Sequence, residues 1–282
     1  LFMKLINKNT NTLLEALSLQ YPQSSKTTLR SWLKSGRIFV DGVKQKLGQF
    51  SLLPGQEIEI STKKKFIEED FSIIYEDKDL VVIEKPVGLL SVSTNFEKGV
   101  TAHSFLKRYY RPKNVYVVHR LDQDTSGLML FALSEEAYVK LKEMFEQHAI
   151  EREYVAIVEG KLNPLKGSWK SYLYEDALYK MHETSSSSKG QLAISHYEVV
   201  NQTKKFTRIN IKLETGRKNQ IRVHCQSSGH PIIGDNKYGG TINPIQRLGL
   251  HAYKLIFTHP ITQKKLTFVS PVPDEFNQLV QP

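Results

Sequence analysis

The run with the most chemically capable side chains is His119-Arg120-Leu121-Asp122-Gln123-Asp124-Thr125-Ser126-Gly127. Three kinds of chemistry fit it. Asp122, Asp124, Ser126 and Gly127 match the opening spacing of a calcium-binding loop. That loop needs a glutamate at its twelfth position, where this chain has Leu133, and the residues between are the apolar 128–132. Alternatively, Asp124-Thr125-Ser126-Gly127 is a turn, with side chains that bond the backbone and a permissive glycine. Or Asp122 is a carboxylate nucleophile, with Arg120 beside it for a phosphate or a base. Taken alone, the run leaves the last two readings open.

The elements that must hold this run are strands. Val115-Tyr116-Val117-Val118 precedes it and Leu128-Met129-Leu130-Phe131 follows it. Other strand-like runs are 80–83, 154–158, 192–200, 206–213, 252–258 and 266–269. Ser134, followed by Glu135 and Glu136, opens a helix with an apolar stripe of Ala137, Leu141, Met144, Phe145 and His148. Several strands follow one another without a helix between them. This predicts an α+β domain over 71–282 with a mixed, mostly antiparallel sheet. Residues 185–190, four serines then Lys189-Gly190, read as a loop.

Residues 12–60 have a different texture. Leu13, Leu14 and Leu17 share a helical face, and Ser25 can cap a second helix that runs through Lys34 to a stop at Gly36. A strand, Arg37-Ile38-Phe39-Val40, leads to the turn pair Asp41-Gly42, and Pro54-Gly55 precedes the alternating Glu57-Ile58-Glu59-Ile60. The predicted organisation is a small α/β domain over 1–62, a linker over 63–70 containing Lys63-Lys64-Lys65, and the larger domain over 71–282.

Charge follows the same division. The chain of 282 residues carries a formal +10, and residues 1–65 hold eleven Lys and Arg against four Asp and Glu, or +7 of that total. An excess concentrated in one small domain suggests a polyanionic partner, nucleic acid before membrane. No apolar run approaches the roughly 20 residues of a membrane helix. The single cysteine, Cys225, has no partner for an intrachain disulfide, and Leu1-Phe2-Met3-Lys4 does not read as a signal peptide. A cytoplasmic location is therefore expected. His224, Cys225 and His230 lie close in sequence without a metal-site spacing, and there is no phosphate-binding glycine loop. Neither a metal nor an organic cofactor is expected, and the protein is expected to be a monomer.

The Asp122 run resembles the signature of the RluA-type family of pseudouridine synthases, His-Arg-Leu-Asp-x-x-Thr-Ser-Gly. Further segments agree in that family's order. They are Glu84-Lys85-Pro86-Val87-Gly88-Leu89 (with Glu84 where Asp is usual), Glu153 to Gly160 around Tyr154, Thr215 to His224, His230 to Asp235, and Leu250-His251-Ala252. The likeness spans 71–270. Residues 25–42 and 55–58 resemble the S4 RNA-binding fold.

The resemblance implies an isomerase that turns uridine into pseudouridine in structured RNA. The substrate it points to first is large-subunit (23S) ribosomal RNA, with transfer RNA second. It implies Asp122 as nucleophile, Arg222 as its partner through two parallel hydrogen bonds, and Tyr154 stacked on the target base. Arg120 would fill the space left by the flipped uridine, and Lys85 would support the site or touch RNA backbone. In the S4-like domain, Lys26, Arg30, Lys34 and Arg37 would face RNA. One position departs from the family, which usually has His where this chain has Asn219. Two rivals remain from the residues themselves. One is a non-catalytic RNA-binding assembly factor. The other is a carboxylate-dependent nucleoside glycosidase, for which the basic first domain has no use.

Overall fold

The computed structural model describes the chain except residues 1, 23, 35–37, 42, 62–65, 69–70, 94–99 and 282. The chain divides into two compact units, 1–75 and 76–282.

In the smaller unit, helices Leu13–Gln20 and Lys26–Lys34 lie with a four-stranded antiparallel sheet ordered Phe2–Ile6, Glu57–Ser61, Ile38–Val40, Val43–Lys44. The first helix starts at a capping box: Thr12 accepts from the Glu15 amide, and the Glu15 carboxylate accepts from the Thr12 amide. Ser25 caps the second, accepting from Thr28 N at 3.1 Å. Leu13, Leu17, Leu29, Leu33, Ile38 and Ile60 form the buried core. Thus the leucine stripe and the Glu57–Ile60 alternation meet in one interior. Lys26 and Arg30 are exposed on the second helix. Arg37 and the side chain of Lys34 lie outside the described residues, as do Gly36, Gly42 and Lys63-Lys64-Lys65. Phe66–Glu68, within the stretch expected as linker, is a short strand paired with Phe71–Glu76.

The larger unit is built on a long sheet. From one edge its strands run Met181–Thr184, Lys166–Glu175, Gln191–Gln202, Phe206–Leu213, Glu151–Glu159, Leu250–Thr258, Ser126–Ala132, Leu80–Lys85. Every pairing among them is antiparallel except one, between Ser126–Ala132 and Leu250–Thr258, where Ser126 faces His251 and Gly127 faces Ala252. The sheet is therefore mixed and mostly antiparallel, as the strand-rich pattern predicts. Its central strands are apolar throughout; all seven residues of Ser126–Ala132 are buried. Helix Glu135–Glu146 starts at Ser134, which accepts from Ala137 N. It ends before His148, which is exposed at a φ of 57° and so is not part of the apolar stripe. Residues 185–190 turn between Met181–Thr184 and Gln191–Gln202. No helix among the described residues is long and apolar enough to cross a membrane.

Three histidines in this unit are held neutral. Burial lowers His224 and His251 to about 4 and His119 to about 3. His251 sits between the hydroxyls of Ser126 and Ser270 (2.8 and 3.0 Å), and His224 between those of Ser195 and Ser171 (2.9 and 3.1 Å). His119 accepts from Leu130 N at 2.9 Å. Below the ordinary histidine value near 6.5, the unfolded chain binds protons that the fold refuses, so stability falls as pH drops through that window. Between pH 7 and pH 5 each histidine should cost roughly 1–2 kcal/mol. Urea midpoints should be clearly lower at pH 5 than at pH 7, with the gap narrowed in His224→Gln. Equal midpoints would refute this.

Candidate active site

Asp122 sits in the loop that enters Ser126–Ala132, beside the parallel pairing of that strand with Leu250–Thr258. The loop is clamped on both sides of Asp122. Ser91 Oγ donates to Leu121 O (2.7 Å) and accepts from Leu121 N (3.1 Å). Gly88 N donates to Gln123 O at 3.0 Å. Lys85 adds a third tie. Its side chain is fully buried, and Nζ donates to the carbonyls of Pro86, Leu89 and Gln123 at 2.9, 2.7 and 2.7 Å. Burial lowers its pKa to about 7, and the nearby Asp124 and Asp122 carboxylates oppose that shift. Lys85 is thus not an RNA contact. All three of its hydrogens are spent holding the loop, which is why a strand-end lysine is tolerated inside.

Arg222 comes from the first turn of helix Gln220–Ser227. Here the structure corrects an expectation, because the guanidinium fork does not grip Asp122. Nε and one terminal nitrogen donate to the two oxygens of buried Asp235, both at 2.7 Å, and only the other terminal nitrogen reaches Asp122 Oδ2, at 3.3 Å. Asp235 sets the direction of Arg222, and Arg222 offers Asp122 a single charged hydrogen bond. The guanidinium also lies over the Tyr238 ring, 5.0 Å from its centroid.

The shorter bond to Asp122 is from Asn219 Nδ2 to Oδ2, at 2.6 Å. Asn219 is the residue before the helix, at a φ of 52°, and its side chain caps nothing. Both Asn and His tolerate this left-handed backbone better than most side chains, so either can occupy the position. The amide is oriented by buried Tyr238. Met181 N donates to Tyr238 Oη (3.1 Å), so the phenol proton goes to Asn219 Oδ1 (3.0 Å), and the amide nitrogen is left to face Asp122. Asn219→His should therefore keep most activity. Asn219→Asp sets a second carboxylate against Asp122 and should slow single-turnover conversion on the order of a hundredfold. If Asn219→Asp turned over like the wild type, this contact would have no role.

Tyr154, on Glu151–Glu159, is buried, and burial raises its pKa, which leaves it a neutral phenol. A register shift between Glu153 and Tyr154 sets it opposite Ala252, and with Asp122, Asn219 and Arg222 it lines one recess. That recess adjoins an open cleft of about 470 Å³, whose walls include Arg120, Asp122, Asp124, Lys218, Arg222 and Lys237. Arg120 is exposed there. The structure thus brings Asp122, Tyr154, Arg222 and Arg120 together from separate parts of the chain. Asp235 and Tyr238 had no role assigned from sequence, although Asp235 ends a segment that fits the family. Their only local signal was a buried-type aspartate and tyrosine in a Gly-Asp-x-x-Tyr-Gly turn.

Two other polar groups do different work. His224, Cys225 and His230 do not converge: His224 is held by serines, Cys225 is buried with its thiol pushed up, and His230 faces the Glu159 carbonyl. Asp77, Asp79 and His259 do lie together. His259 Nδ1 accepts from the amides of Ile261 and Thr262, so the proton on Nε2 points at Asp77, a poor arrangement for a cation.

A family model described as RNA pseudouridylate synthase matches residues 79–227, more than half of the chain. This chain belongs to the RluA-type family of RNA pseudouridine synthases. Members that are close in sequence include ribosomal large subunit pseudouridine synthase D of Buchnera aphidicola, 30% identical, covering 99% of this chain and 95% of that one. An uncharacterized RNA pseudouridine synthase of Bacillus subtilis, YhcT, is 32% identical over 91% of this chain and 88% of its own. The solved structure of human RNA pseudouridylate synthase domain containing 4 covers 73% of this chain and 90% of that one, at 26% identity and a TM-score of 0.61. As a pseudouridine synthase the protein is an isomerase with RNA as its substrate.

Proposed function

We propose that this synthase isomerises uridine to pseudouridine in large-subunit ribosomal RNA, in the cytoplasm, with Asp122 as the nucleophile. The observation that carries the assignment is the state of the Asp122 carboxylate. Asn219 and Arg222 both bond Oδ2, while the side chain stays 28% exposed toward the cleft. Oδ1 is the oxygen left to meet a ribose. As the N1–C1′ bond breaks, its electron pair leaves with the uracil, and Asp122 stabilises or traps the positive C1′. The base turns, C5 bonds C1′ as the carboxylate is released, and the proton lost from C5 is balanced by one gained at N1, so product and substrate are isomers. No external water needs activating, so one carboxylate suffices. Tyr154 offers the base a ring face beside Asp122. Arg120, exposed at the cleft mouth, fills the gap left in the RNA.

Relatives named as large-subunit synthases support the ribosomal substrate, and so does the basic first domain. In this reading residues 1–62 are an S4-like RNA-binding module. Lys26 and Arg30 stand exposed on its second helix. Replacing both with Glu should lower the slope of log affinity against log salt by roughly 1.5–2. An unchanged slope counts against the module.

The direct test is to incubate the protein with unmodified 23S rRNA transcript, and separately with transfer RNA, and to map pseudouridine. Pseudouridine only in transfer RNA would overturn the ribosomal assignment, and none in either would overturn the proposal.

A further inference from the structure

Strands Lys166–Glu175 and Met181–Thr184 form an antiparallel hairpin, and Leu178 and Tyr179 lie at its tip. Both are large, apolar and conspicuously exposed, at 85% and 58%. A tip of this kind would ordinarily be small and polar.

The tip is rigid. Asp176 Oδ1 accepts from the amides of Leu178 and Lys180 (2.8 and 2.9 Å), and its other oxygen bonds His182 at 2.7 Å. Asp176 N donates to Lys180 O at 2.9 Å, and Tyr179 N donates to Asp176 O at 3.0 Å. Tyr179 itself has a φ of 59°, a left-handed conformation that Gly or Asn would take at less cost. A bulky ring is kept at a strained position where it packs into no core, and such strain is a mark of functional positions.

The tip is tied to the catalytic cleft. The Tyr179 carbonyl accepts from Lys237 Nζ at 3.2 Å and from Lys218 Nζ at 3.4 Å. Both lysines line the cleft with Asp122. Lys218 also pairs with Glu175, the strand residue that enters the turn, and its ammonium lies 5.9 Å from the Tyr179 ring centroid. An exposed aromatic and an exposed leucine therefore stand beside two cations on the rim of a cleft that takes RNA. Phosphate beside lysine and base against ring is how single-stranded nucleic acid is held.

We infer that Leu178 and Tyr179 form a stacking platform for a nucleotide adjacent to the target uridine, holding the strand open while that uridine occupies the cleft. The platform is separate from Arg120, which stands on the Asp122 loop. This inference rests on the proposed RNA function. The base would lie against the Tyr179 ring with Leu178 at its edge, and Lys218 and Lys237 would meet the neighbouring phosphates. Tyr179 is thus a positioning residue; it touches no reacting atom.

The test uses the full-length protein and a short RNA carrying the mapped uridine, with 2-aminopurine at one flanking position or the other. Wild type should quench the fluorescence of one of these probes on binding, as stacking does. Tyr179→Asn suits the backbone conformation and removes the ring. It should abolish the quench and raise KM on the order of tenfold or more, with the single-turnover rate at saturating RNA nearly unchanged. Tyr179→Trp should keep both the quench and the KM. Because the tip is exposed, Tyr179→Trp should melt with the wild type, and Tyr179→Asn should melt no lower, since asparagine relieves the left-handed strain. Absence of pseudouridine with the wild type would defeat the proposed function itself. If the wild type is active and Tyr179→Asn shows the same KM and the same quench, the platform alone is overturned. An active wild type that quenches neither probe also overturns the platform.

Discussion

Asp122→Asn should all but abolish pseudouridine formation while the protein stays folded. Asparagine has the shape of aspartate but neither its charge nor its nucleophilic oxygen, so the expected loss is roughly a thousandfold or more in single-turnover rate. Folding should change little. Asp122 is part-exposed, and the buried Arg222 keeps the paired hydrogen bonds to Asp235, at 2.7 Å each. Binding of unmodified RNA should persist, because the cations of the cleft are untouched. Mapping by chemical labelling after incubation with equal amounts of wild type and variant is decisive, since equal modification by both would remove Asp122 from the mechanism. Asp235→Ala should give a different profile. It strands a buried guanidinium, so stability and activity should fall together.

The second large effect is on the fold. Gly127 has a φ of 111°, and a β-carbon added there would lie 2.2 Å from the carbonyl oxygen and 2.7 Å from the amide nitrogen of Ala252. Gly127 pairs with Ala252 on one side and with Lys85 on the other. A methyl group must therefore force the central strands apart, directly below the Asp122 loop. Gly127→Ala should cost about 3–5 kcal/mol, combining backbone strain with a clash that neither strand can avoid. At roughly 2–4 °C per kcal/mol the melting temperature should fall by about 10 °C. Gly88→Ala is the control. Gly88 also has a positive φ, 80°, but nothing lies within 4 Å of the added carbon. It should cost only about 1–2 kcal/mol, the backbone penalty alone. Similar melting temperatures for the two variants would refute the clash.

Much of this protein is legible in its sequence, for local reasons. Alternation and β-branched runs mark the strands, Ser25 and Ser134 mark helix starts, and the charge excess marks the first domain. The Asp122 run and the segments around Tyr154 and Arg222 carry the family likeness, because each of these groups is embedded in a short segment with its own turn or strand chemistry. What the sequence could not show was how these segments address one another. Arg222 was expected to fork onto Asp122, yet its fork goes to Asp235. Asn219, which reads as a loss relative to histidine, makes the shortest bond to Asp122. Lys85, a lysine at a strand end, is fully buried. Each of these depends on which donor meets which acceptor across long sequence separations, such as the 97 residues between Asn219 and Asp122. Local propensity fixes backbone shape and the side-chain inventory within a few residues. Only tertiary packing, by removing water from Asp235, Lys85 and Tyr238 and so obliging each polar group to find a partner, decides which hydrogen bonds aim the carboxylate.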